Sequence, residues 1–132
     1  LGYAEADPTY DIKGIDSACK VTILANSVFG RNVTIKDVSI NGVDTITQDA
    51  IALAKDQGMV IRLIGEVSED KLEVSPRLIP EGHPLSIKGT LNTAVVQTDF
   101  AGPITVSGRG AGRNETASAI FSDLIYIMRK KQ

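Results

Sequence analysis

The sequence predicts an α+β domain: a mixed, largely antiparallel sheet with helices covering one face. Three observations carry this. Two stretches near the start have helical apolar spacing and end in glycine. The middle changes to β-rich runs joined by short polar turns. The last nineteen residues return to an amphipathic helix. All 132 residues fit one domain, residues 1–132, and 42% apolar content is enough to bury a core.

Taken in order, residues 1–13 carry no period and contain Asp7-Pro8, so they read as a loop or extended lead-in. Residues 14–29, "GIDSACKVTILANSVF", read as a helix. Ile15, Ala18, Val21 (or Thr22) and Ala25 recur on one face, and Gly30 makes the stop. Residues 31–46 read as short extended pieces around the turn "INGV". Residues 47–57 form the next helix, with Thr47 as its cap, Ala50, Ile51 and Ala54 as its stripe, and Gly58 at its end.

From Met59, "MVIRLIGEV" and "KLEVSPRLI" read as a hairpin through "SED", with Pro76 making the second strand an edge or broken strand. "TLNTAVVQTDF" and "PITVSGRG" read as a second hairpin through "AGP". "NETASAIFSDLIYIMRKKQ" is the closing helix, its basic end suited to the helix dipole. Three helices are few for such a sheet, so its other face calls for a second subunit.

Composition excludes several classes. The net charge is −2 with no basic run, so neither nucleic acid nor an anionic membrane is expected as a partner. No apolar run approaches the roughly 20 residues of a membrane span. The acidic start is unlike a signal peptide, and Leu1 in place of Met suggests a processed chain or a fragment. One cysteine, Cys19, suits a reducing cytoplasm. One Cys and one His, His83, at no short spacing provide no metal pattern and no catalytic triad.

Two constellations could carry chemistry. Glu5, Asp11, Asp16 and Lys20 gather at the chain's start, with Asp16 and Lys20 four apart on one helix face. This fits an ordinary surface ion pair beside a solvated loop. The other reading is a polar pocket in which carboxylates hold an ammonium group and a lysine acts on an oxygen. The second is "SGRGAGRNETASA", where Gly108, Gly110 and Gly112 lead from a strand into a helix. Bare amides there can receive a phosphate or carboxylate; a turn needing positive φ explains the glycines as well. The spacing is not the dinucleotide fingerprint.

Together these stretches resemble the substrate domain of homoserine dehydrogenases. The resemblance begins with "GYAEADPTYDIKGIDSACK" and "ILANSVFG". It continues through "INGVDTITQDAIALAKDQGMVIRLIG", "LIPEGHPL" and "LNTAVVQTD" to "GRGAGRNETASAIFSDLI". Nearly the whole chain is covered. Cys19 departs from the family's frequent His, and Arg113, Asn114 and Glu115 replace a glycine–apolar–proline stretch.

The resemblance implies NAD(P)-dependent interconversion of L-homoserine and L-aspartate 4-semialdehyde, in the route to threonine and methionine. It implies that Glu5 and Asp11 bind the substrate's amino-acid end. Asp16 and Lys20 would sit at the reacting oxygen, with Gly108, Gly110 and Gly112 near a cofactor, NADP or NAD, bound mainly by a nucleotide-binding domain absent from these 132 residues. It also implies a cytoplasmic homodimer through the sheet. The alternative is a non-catalytic amino-acid-binding or dimerisation module derived from that domain.

Overall fold

The computed structural model describes residues 8–87, 89 and 91–130. The chain forms two compact units, one within Ala4–Ser86 and one within Ile87–Gln132.

The first unit opens with a short helix, α1 (Thr9–Ile12), in place of the expected loop. Pro8 stands just before its first turn, where a missing N–H costs nothing. Gly14 follows with φ +77 and starts helix α2 (Ile15–Val28). Of the predicted stripe, Ala18, Val21 and Ala25 are buried and Ile15 is half-buried. Thr22 instead donates its hydroxyl to the Ala18 carbonyl at 2.8 Å.

Of residues 31–46, only Ser39–Ile40 (β1) is strand. Ile35–Asp37 is a 3₁₀ turn, because Thr34 and Asp37 close a reciprocal capping box around it. Helix α3 (Gln48–Asp56) starts at Thr47, whose Oγ1 accepts the Ala50 N–H at 3.2 Å, as the sequence predicts. Its stripe is narrower than expected. Ala54 is buried but Ile51 is 53% exposed.

Strands β2 (Met59–Val67) and β3 (Leu72–Pro80) form the expected hairpin, paired in register from Val67–Leu72 to Met59–Pro80. β3 is not an edge strand. The order is β1-β3-β2, with β1 parallel to β3. β1 reaches only Glu73 and Val74, however, so Pro76 lies beyond the stretch where β1 would need its N–H.

α2 packs across β2 and β3, and α3 against β2. The core is Ala18, Val21, Ala25, Val38, Leu72 and Val74, flanked by Val33, Ile35, Ile40, Leu63 and Val67. Small residues set the close approach of α2. A Cβ at Gly65 would stand 2.6 Å from Val21 Cγ2.

The second unit is a hairpin of β4 (Leu91–Thr98) and β5 (Gly102–Arg109), followed by helix α4 (Arg113–Lys130). Among the described residues, β1–β3 form one sheet and β4–β5 pair with each other, in keeping with the expected α+β class and its largely antiparallel strands. The hairpin turn is residues 99–101, two residues earlier than "AGP". Thr98 Oγ1 accepts the Ala101 N–H at 3.1 Å and donates to the Gly102 carbonyl at 2.8 Å. α4 carries Arg129 and Lys130 in its last turn but buries no residue: Ile120, Phe121, Leu124, Ile125 and Met128 are all exposed. No helix among the described residues is long and apolar enough to cross a membrane.

Candidate active site

The first constellation is built on the corner between α1 and α2. Asp11 lies on α1, and the Lys13 and Gly14 amides close the turn onto the carbonyls of Thr9 and Asp11 at 2.9 and 3.1 Å. Two residues into α2, Asp16 Oδ2 accepts a hydrogen bond from Lys20 Nζ at 2.7 Å. The predicted helix thus brings this pair together, one turn apart on one face.

Both side chains are about half exposed. An exposed i,i+4 pair contributes only about 0–1 kcal/mol, so stability is a weak reason for its presence. Its chemistry is more telling. The lysine has three N–H donors; one is held by Asp16, and the others can reach an oxygen outside the helix. Asp11, exposed one turn upstream, adds a second carboxylate. Glu5 lies outside the described residues.

Cys19 is exposed on α2 and forms no disulfide. His83 is engaged in a local turn, its Nδ1 accepting the Leu85 N–H at 3.1 Å. Neither has a catalytic partner in these contacts.

The glycine turn belongs to the second unit, and its three glycines answer to different demands. At Gly112, φ is +137 and a Cβ would run into the Glu115 carboxylate. At Gly110 it would run into the Asn92 amide, while at Gly108 nothing lies within 4 Å. The Thr116 N–H closes the first turn of α4 on the Gly112 carbonyl at 2.9 Å. Glu115 in that turn is well placed for the helix dipole, and Arg109 approaches it at 3.6 Å. A shallow open depression beside it is lined by Arg109, Asn114, Glu115, Ser118, Ala119 and Ser122.

Sequence reasoning overlooked residues 41–45. They register in the sequence only as a turn, "INGV", yet they hold the corner that carries Asp11. The Val43 N–H donates to the Ile12 carbonyl at 2.9 Å. The one available signal was Gly42.

The first unit thus presents an Asp16–Lys20 ion pair at the start of α2 beside the exposed Asp11. Comparison with known proteins is specific: the homoserine dehydrogenase family model matches residues 1–125, and the chain belongs to that family. It is 54% identical over 127 residues to a homoserine dehydrogenase of Methanocaldococcus jannaschii, covering 96% of this chain and 38% of that protein. It is 42% identical over 133 residues to an NAD(+)-dependent homoserine dehydrogenase of Pseudomonas canavaninivorans, again covering 96% and 38%. Among solved structures, a hyperthermophilic archaeal homoserine dehydrogenase in complex with NADPH superposes with a TM-score of 0.80 at 32% identity. That match covers 98% of this chain and 37% of the other. The 132 residues therefore span little more than a third of the length of these relatives.

Proposed function

We propose that this chain is the substrate-binding and dimerisation domain, residues 1–132, of an enzyme that interconverts L-homoserine and L-aspartate 4-semialdehyde with NAD or NADP. The observation that carries this is the 2.7 Å Asp16–Lys20 pair at the acidic entrance to α2, in a chain of this family.

The nicotinamide cofactor, when bound, accepts or supplies the hydride at the substrate's C4. The protein's residues handle the rest. In the reductive direction, negative charge grows on the aldehyde oxygen. The Lys20 ammonium stabilises that charge and delivers the proton that makes the alcohol. Asp16 holds the ammonium in place, so little orientation is lost when the oxygen arrives. Glu5 and Asp11 bind the substrate's ammonium end.

The cofactor is bound mainly by another portion of the enzyme. Gly108, Gly110 and Gly112 lie near that cofactor, with the Asn92 amide beside Gly110 and the Glu115 carboxylate beside Gly112. Of the three, Gly108 keeps its Cβ side open. The enzyme works in the cytoplasm as a homodimer joined through the sheet, and its product serves threonine and methionine synthesis.

The test is NAD(P)H formation from L-homoserine. The complete polypeptide turns over with one or both cofactors; the 132-residue chain alone does not. Lack of activity in the complete polypeptide refutes the reading. Turnover by the isolated chain overturns the placement of the cofactor elsewhere.

A further inference from the structure

We propose that Gly42 is a positioning residue for substrate binding: the 41–45 loop clamps the α1–α2 corner and so sets where Asp11 stands relative to Asp16 and Lys20. The proposal rests on the function proposed above and extends it to a loop remote in sequence from the acidic motif.

The corner is gripped from two sides. On one side, Gly14 lies against the core. With φ +77, a Cβ there would stand 3.0 Å from Val74 Cγ1 and 3.3 Å from both Ile40 Cγ2 and Leu63 Cδ2. Val74 is fully buried and has no room to give way. On the other side, the loop meets the end of α1 backbone to backbone. The Val43 N–H binds the Ile12 carbonyl at 2.9 Å. A Cβ at Gly42 would stand 2.6 Å from that same carbonyl oxygen, 2.8 Å from Asp44 Oδ1 and 2.9 Å from Lys13 Cα.

Two of those three atoms are backbone, so a side chain at position 42 displaces the corner itself rather than a neighbouring rotamer. Asp11 sits one residue before Ile12, while Asp16 and Lys20 are on α2, which packs on the sheet. Moving the end of α1 therefore shifts Asp11 against a pair that stays in place. The loop's other end is tied down too: the Asn41 N–H donates to the Val74 carbonyl at 2.8 Å, so the clamp is continuous with β3.

The test is a double-mutant cycle in the complete enzyme. Asp11→Ala is expected to raise KM for homoserine. Gly42→Ala is expected to lower kcat/KM for homoserine by on the order of 10–100-fold, the cost of a misplacement of about 1 Å, with KM for NAD(P) unchanged. In the Asp11→Ala background the Gly42→Ala change should cost almost nothing further, because the group it misplaces is gone. A loss that is additive in that background, or that falls equally on cofactor binding, marks Gly42 as merely structural and overturns the proposal. A silent Asp11→Ala refutes instead the assignment of the site.

Should Gly42→Ala not fold, hydrogen exchange on the wild-type enzyme decides. Homoserine added to the cofactor complex should slow exchange of the Val43 amide. Unchanged exchange at Val43 under saturating homoserine overturns the clamp.

Discussion

At the residue scale, the roles proposed for Lys20 and Glu5 can be separated by kinetics. In the proposed mechanism the Lys20 ammonium interacts most strongly with the substrate oxygen as charge builds there, so its loss falls on the transition state. Lys20→Ala in the complete enzyme should reduce kcat by on the order of 10²–10³, the usual cost of one such donor, with little change in KM for homoserine. Glu5→Ala should do the reverse, chiefly raising KM, because a charged end is held equally in ground and transition states. Intact turnover with only a raised KM for Lys20→Ala would make the lysine a binding group. The i,i+4 spacing was legible because helical periodicity places both side chains before any tertiary contact exists. Asp11's surroundings were not, since they depend on a loop thirty residues downstream.

At the scale of elements, β2 and β3 oppose Glu66 directly to Glu73, an unfavourable cross-strand pair on its own. Lys71 bridges both carboxylates at 2.7 and 2.9 Å, and Arg77 approaches them at 3.3 and 3.2 Å. The Lys71 hydrogen bond, followed by one from Ser75, holds the Glu73 carboxyl below the ordinary glutamate range. A depressed folded-state pKa stabilises the fold above the unfolded value, about 4.3. That contribution is lost as pH falls through the lower folded value. Glu73→Gln should therefore lower Tm at neutral pH, with the gap from wild type closing as pH drops below about 4. A gap constant down to pH 2 would show that the network contributes nothing through Glu73 ionisation. The cap on α3 offers a second check. Thr47→Ala removes the acceptor for the Ala50 N–H and should cost about 1 kcal/mol of stability in denaturant unfolding. A change near zero would mean that water replaces the cap at no loss.

Across the whole molecule, the second unit leaves its apolar side chains in the open. Phe121 is 66% and Met128 70% exposed, and β5 has no buried residue. Faces of this kind mark interaction surfaces. Sedimentation of the complete enzyme at high micromolar concentration should show a dimer or larger assembly. A strictly monomeric species would refute the sheet-mediated homodimer.

The sequence by itself determined the family, the α2 stripe of Ala18, Val21 and Ala25, the Thr47 cap, both hairpins and the meeting of Asp16 with Lys20. Each of these follows from local spacing or from turn chemistry, which act within a few residues. Tertiary structure decided the rest. The short α1 helix sits where no periodicity existed to reveal it. β3 became a central strand because a two-residue β1 arrived from outside the hairpin, a pairing that strand propensity cannot foresee. Ile51 stayed exposed because α3 meets β2 over a narrower face than its apolar stripe offers. Gly42 acquired its purpose from contact with Ile12 and Lys13. A glycine in a sequence shows only that a side chain is missing; the fold decides what occupies the space.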